Sequence, residues 1–232
     1  MQPAPWKISV ITVMPEMYPG PLGHSLIGDA LSRGLWDLSV FPLRDFGTGP
    51  HQKIDDSPAG GGAGMVLKPD VVDAAILAAK AANPGATLVH FTPRGAPLTQ
   101  PMLRELIATP LILLCGRYEA IDERVLEKHA PREVSLGDFV LTGGDIPAMA
   151  LVDGCVRLLP GVIGKEASLG EESFGDGDYA QLLEYPHYTK PAEWDGRAIP
   201  EVLLSGHHAN IEKWRRAQAQ TITQARRPDL LK

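Results

Sequence analysis

The first half of the chain carries four short, nearly continuous apolar runs. They lie at residues 7–13 (KISVITV), 38–41 (LSVF), 86–91 (ATLVHF) and 110–115 (PLILLC). Runs of this length that do not alternate with polar residues predict strands buried on both faces, as in a parallel sheet. Met14-Pro15-Glu16 ends the first of them. Helix-like stretches lie between the runs. The clearest covers residues 69–82, with a proline at an early helical position and alanine-rich helix formers behind it. Strands that alternate with helices predict an α/β domain built on a parallel sheet.

The pattern changes after Gly164. Residues 165–187 are acidic and glycine-bearing with no convincing period, which predicts a linker or mobile loop. Residues 208–224 again read as a helix, with Ile211, Trp214 and Gln218 down one side and Lys213, Arg215 and Arg216 on the others. The expected organisation is therefore an α/β domain at 1–164, an interdomain linker at 165–187 and a small helical domain at 188–232. The longest apolar stretch, 146–163, is interrupted by Asp153, Arg157 and Pro160, so no membrane span is expected. The opening residues lack the basic and apolar regions of a signal peptide. Cys115 and Cys155 sit alone, without CxxC spacing, which argues against a zinc site or a disulfide framework and fits a reducing cytoplasm.

Charge modifies this picture in one respect. The formal net charge of −6 speaks against a nucleic-acid partner, yet residues 190–232 hold eight Lys/Arg against five Asp/Glu, while the remainder holds 14 against 23. A basic tail on an acidic body suits a polyanion partner, or simply a helix with a solvated charged face.

Candidate chemistry collects in three glycine-bearing segments: 55–65 (DDSPAGGGAGM), 116–125 (GRYEAIDERV) and 135–145 (SLGDFVLTGGD). Glycine lets a backbone turn sharply and approach a ligand closely, and loops at the carboxyl ends of parallel strands are where α/β proteins bind small molecules. The 60–64 cluster is not a P-loop, because no Gly-Lys-Ser/Thr follows, and it lacks GxGxxG spacing. Any one segment could be a plain tight turn; three together point to a ligand site.

These segments, extended through 135–164, 172–174 (ESF), 182–191 (LLEYPHYTKP) and 202–215 (VLLSGHHANIEKWR), closely resemble the bacterial tRNA (guanine-N1)-methyltransferases. The MPEM at 14–17, the RDF at 44–46 and the DDSPAGGGAGM at 55–65 match as well, so the resemblance spans nearly the whole chain in order. It implies a parallel sheet tied in a deep trefoil knot (the SPOUT class), a homodimer, and a cytoplasmic enzyme. The implied reaction moves a methyl group from S-adenosylmethionine to N1 of guanosine 37 in tRNA, next to the anticodon. The alternative is a knotted RNA-binding protein without catalysis; a nucleotide hydrolase lacks a phosphate-directed lysine.

By the same resemblance three loops hold the donor. The first supplies Phe91, Thr92 and Pro93, and the second Gly116, Tyr118 and Glu119. The third supplies Ser135, Leu136, Gly137, Asp138, Phe139, Val140, Leu141, Gly143 and Gly144, with Pro147 behind them. Glu119 would face the donor's ribose or amino group, or be a solvated carboxylate at a helix start. Asp56, Ser173, Lys213, Arg215 and Arg216 would contact tRNA. N1 of guanine carries a proton that a base must remove, and its loss pushes negative charge toward O6. The resemblance assigns the base to Glu172 and the stabilising cation to Arg157, which could instead form a salt bridge across a dimer interface. The family commonly has aspartate at the position of Glu172, tyrosine at Phe139 and glutamine at Arg94. Glu171, Asp176 and Asp178 are alternative carboxylates. One copy's knotted domain is expected to hold the donor while the other copy helps enclose the guanine. Mg²⁺ is implied, with no ligand assigned.

Overall fold

All four apolar runs become strands of one parallel sheet. A computed structural model describes residues 4–164 and 168–232. It has β1 at Trp6–Thr12 and β2 at Trp36–Pro42, followed by the two-residue strands β3 (Asp55–Asp56) and β4 (Val66–Leu67). Then come β5 (Thr87–Pro97), β6 (Leu111–Leu114), β7 (Ala120–Ile121) and β8 (Arg132–Ser135). The large sheet has the order β2-β1-β6-β5-β8, and every neighbouring pair is parallel. Strands β3, β4 and β7 form a small separate sheet. The α/β expectation holds. Strand β8 went unread because it opens on the charged pair Arg132-Glu133 and buries only Val134 and Ser135.

Successive residues on the central strands point to opposite faces of the sheet. Leu111 and Leu113 join one core cluster with Ile8 and Val10, while Ile112 and Leu114 join the other with Ile11 and Val13. The helices are α1 (Ser25–Ser32), α2 (Pro69–Ala82), α3 (Gln100–Leu106), α4 (Glu123–His129) and α5 (Asp145–Val156). Helices α1, α3 and α5 cover the first face, and α2 and α4 the second. Helix α2 has the bounds expected, with Pro69 in its first turn and Val71, Val72, Ala75, Ile76 and Ala79 as its buried stripe. Among the described residues no helix is long and apolar enough to cross a membrane.

The chain divides into two compact units, Met1–Ile163 and Gly164–Lys232. The second holds α6 (Ser168–Glu171), the antiparallel pair β9 (Glu193–Trp194) and β10 (Arg197–Ala198), α7 (Glu201–Leu204) and α8 (His208–Arg226). Its small core joins Leu182 and Tyr185 to Ala219. The backbone N–H of Leu183 donates to Thr223 Oγ1 at 2.8 Å. Residues 182–185 of the expected linker thus pack on α8, and residues 165–167 of it lie outside the described residues. The stripe through Ile211, Trp214 and Gln218 is half-buried, and burial is deepest one position further on, at the small residues Ala219 and Thr223.

Ile112 lies at the centre of the sheet with no exposed surface. Ile112→Ala is expected to lower the unfolding free energy by about 2–5 kcal/mol, read from urea unfolding. A loss well below that range would mean the core closes around the gap.

Candidate functional site

Strands β6, β5 and β8 are neighbours in the sheet, so their carboxyl ends open on one edge. A cavity of about 460 Å³ lies there, lined mainly by residues 90–94, 116–121, 134–137 and 139–144, with Glu123, Leu126 and Pro147. Its size is that of a small-molecule site, roughly 300–1,000 Å³, and its place is the usual one in an open parallel sheet. Strand β5 helps to shape it. Phe91 and Ala96 both register on Val134, so 92–95 leaves the ladder as a bulge and brings Thr92, Pro93 and Arg94 to the wall. Every position singled out for donor binding lines this cavity except Asp138.

The second loop is held in an unusual conformation. Tyr118 has φ +63, a left-handed backbone that is costly for a bulky residue and recurs at functional sites. The next residue is tied down, because the Glu119 N–H donates to the Met65 carbonyl at 3.0 Å. Gly64, at φ +82, lies directly against the Glu119 side chain, and a methyl group there would overlap it. Gly64, at the end of the glycine-rich segment, therefore backs Glu119.

His90, on the cavity wall, is buried, with Nδ1 3.3 Å from the Leu114 carbonyl. Burial lowers its pKa by penalising the charged ring, which keeps the imidazole neutral. At the rim, Arg94 Nη2 reaches Glu123 at 3.2 Å and Glu133 at 3.6 Å. The arginine that stands where the family often has glutamine thus bridges two carboxylates.

A buried network unassigned by sequence reasoning lies beside the second and third loops. Arg117 donates from Nε at 3.0 Å and from Nη2 at 2.8 Å to Asp145 Oδ2. Asp145 has no exposed surface, and its Oδ1 accepts from Thr12 Oγ1 at 2.6 Å and Tyr18 Oη at 3.3 Å. Burial, reinforced by Cys115 and Asp145, raises the Tyr18 pKa and holds the phenol protonated as a donor. Both cysteines are buried thiols. Burial pushes Cys115 up as well, and Cys155 up to about 12, so neither is a thiolate at neutral pH.

The remaining singled-out residues are not among those that line the cavity. Asp56 is exposed on β3 and pairs with Lys53 at 3.0 Å; a hydrogen bond from that lysine is the main cause that holds its carboxyl below the usual range. Arg157 caps the carboxyl end of α5, half-buried, where the helix dipole favours a cation. In the second unit, Glu172 is half-buried just past α6, and Ser173 Oγ accepts from the Glu184 N–H at 2.9 Å. Arg215 reaches Glu171 at 3.2 Å and lies 4.8 Å over the Tyr185 ring, Arg216 pairs with Asp178 at 2.6 Å, and Lys213 is exposed. Among the described residues no three His, Cys, Asp or Glu side chains converge. These residues therefore make no protein cage for the implied Mg²⁺.

A family model described as tRNA (Guanine-1)-methyltransferase TrmD matches residues 6–232. A tRNA (guanine-N(1)-)-methyltransferase of Rhodospirillum rubrum is 56% identical over 222 residues, which cover 95% of this chain and 90% of that protein. One from Ruegeria pomeroyi is 55% identical over 227 residues, 97% of this chain and 92% of its own. One from Rhodopseudomonas palustris is 55% identical over 230 residues, 99% and 90% respectively.

The contact between Gly64 and Glu119 is directly testable. Gly64→Ala is expected to lower the unfolding free energy by well over ~1 kcal/mol, since the native φ is incompatible with a side chain and the methyl has no room. Gly60→Ala, at φ +86 with no neighbour within 4 Å, carries the backbone strain alone and should cost less. Equal losses in urea unfolding would mean that Glu119 swings aside freely.

Proposed function

The chain belongs to the tRNA (guanine-1)-methyltransferase family, and from that premise we propose that it methylates N1 of guanosine 37 in tRNA, beside the anticodon, with S-adenosylmethionine as donor. The observation that carries the donor reading is the convergence of three strand-end loops on one cavity. The cavity offers what a nucleoside-bearing sulfonium needs: apolar walls from Leu136, Phe139 and Leu141, loop backbone for the adenine edge, and Glu119 for a ribose hydroxyl or amino group. The donor supplies an electrophilic methyl carbon bonded to a positively charged sulfur.

The work left to the protein is to make guanine N1 a nucleophile. Glu172 takes the N1 proton, and Arg157 offsets the charge that then develops on O6. N1 bonds to the methyl carbon as the carbon–sulfur bond breaks, and its electron pair stays on sulfur. Glu172 is favoured over its neighbours by its place immediately before Ser173-Phe174, where the family commonly has aspartate.

The proposal includes a homodimer with shared sites. Helix α5 has 12 residues, about 18 Å at 1.5 Å each. Its amino end adjoins the cavity through Gly144 and Pro147, and Arg157 caps the opposite end. An Arg157 that serves a given cavity is therefore supplied by the second copy. Phe139, Val140, Leu141 and Ile146 are 52%, 84%, 41% and 51% exposed, an apolar patch suited to a second copy. The trefoil knot belongs to the same reading. Close passage of the third loop over the end of β6, where the Gly144 N–H donates to the Gly116 carbonyl at 2.9 Å, supports it. We place the enzyme in the cytoplasm with its tRNA.

Two experiments test this. In Glu172→Gln, single-turnover methylation of tRNA should fall on the order of 10²–10⁴-fold while donor affinity is unchanged, and Glu172→Asp should keep substantial activity. A normal rate in Glu172→Gln moves the base elsewhere. In the second, chains carrying Leu136→Trp, which fills the cavity, are mixed with chains carrying Arg157→Ala. Heterodimers should regain part of the activity, since the intact cavity then receives an intact Arg157 from its partner. No recovery in verified heterodimers would put Arg157 and the donor on the same chain.

A further inference from the structure

We propose that Asp145 is a positioning residue for methyl transfer: through Arg117 it locks the second and third loops of the donor cavity into one spacing. The inference rests on the reading of that cavity as the donor site.

An ionised carboxylate without exposed surface must be paired and hydrogen-bonded, and Asp145 is satisfied on every side. One oxygen takes both hydrogen bonds from Arg117. The other takes the Thr12 hydroxyl, at the end of β1, and the Tyr18 phenol. The carboxylate is thereby pinned to the sheet and to the first turn of α5 at once.

Arg117 carries that fixed point outward. It belongs to the second loop, and its Nη1 also reaches the Thr142 carbonyl of the third loop at 3.5 Å, while Nη2 lies 3.3 Å from Met17 Sδ. Each of its three nitrogens is thus engaged within the protein, so the guanidinium works as a strut between loops. The third loop is shaped to receive it. A methyl group on Gly143 would come within 2.6 Å of Arg117 Cδ and Nε. Both flanking segments line the cavity, so their separation sets where a bound donor's methyl carbon sits. A small misplacement there is costly, because a reacting pair must be held in near-attack geometry.

The strut needs a planar fork with several fixed donors, which lysine lacks. That requirement separates positioning from simple charge compensation. Removing one partner of a buried ion pair is destabilising in itself, so the positioning role is read from donor binding and rate in variants shown to be folded.

The test uses the full-length protein, with S-adenosylhomocysteine titrated calorimetrically, tRNA affinity measured separately and single-turnover methylation timed. Asp145→Asn and Arg117→Gln should each weaken S-adenosylhomocysteine binding and slow methylation by about 10-fold or more, with the double variant no worse than the poorer single one. Affinity for tRNA should stay within about twofold, and Arg117→Lys should fail to rescue. Unchanged donor binding and rate in folded Asp145→Asn, additive losses, or rescue by lysine would each overturn the proposal. If Asp145→Asn does not fold, Thr12→Val and Tyr18→Phe each remove one bond to Oδ1 and spare the Arg117 pair. They should give a smaller loss of the same kind, and no loss in either overturns the inference. Leu136→Trp separates the two readings. If it leaves S-adenosylhomocysteine binding intact, the donor lies outside this cavity and the functional reading falls. If it abolishes binding while the Asp145 variants are silent, only the positioning role falls.

Discussion

Burying one negative charge at the start of α5 organises the first unit. The Asp145 carboxylate has no exposed surface, so it is tolerable only where a cation and hydroxyl donors meet it. Those partners come from three places: Thr12 at the end of β1, Tyr18 beyond it, and Arg117 in the loop after β6. Satisfying one charge therefore fixes the end of a central strand, the entry to a buried helix and the loop beside the cavity. The first turn of a helix is a favourable place for that charge, because unpaired backbone N–H groups there carry positive potential. The same helix ends on Arg157, where the dipole favours a cation. Both charged ends of α5 thus follow the field of its backbone, and their separation is set by the helix length.

What the sequence made legible follows the range of the interactions involved. Strands β1, β5 and β6 were readable because burial on both faces leaves an almost unbroken apolar run, while β2, at the sheet edge, showed only as a short run whose Ser39 is exposed. Helix α2 was readable because one face is buried and proline marks its start. Helix α5 was not, because its exposed stripe of Ile146, Ala150 and Asp153 is mostly apolar and leaves no polar face to mark its period. In the second unit the difficulty was different. Residues 182–185 carry no period, yet Leu182 and Tyr185 find their partner in Ala219, far along the chain on α8.

The site divides along the same line. Its glycine-bearing loops were visible as local features at strand ends, and resemblance gave them a ligand. The pairing that holds the loops together was not visible. Asp145 and Arg117 are 28 positions apart, and Asp145 and Thr12 are 133 apart. No local pattern reports which buried carboxylate meets which guanidinium. The role of Gly64 was hidden for the same reason, since the side chain that excludes a methyl group there belongs to Glu119, on the neighbouring loop.

The second unit shows why the basic tail does not simply advertise a phosphate site. Arg215 and Arg216 already hold Glu171 and Asp178, so part of the positive charge is matched within the unit. Such half-exposed pairs are worth little, because each ion gives up good solvation for a screened attraction. Phosphates arriving on an RNA would face weak competitors, and each exchange would free a carboxylate to return to water. The cation is thereby kept extended and oriented without being bound tightly. The stacking of Arg215 on Tyr185 serves the same end, since a guanidinium lying on an aromatic ring keeps its donor edge available while its direction is fixed. On this surface each arginine is held by an acidic partner, and the weakness of such half-exposed pairing leaves its guanidinium open to exchange.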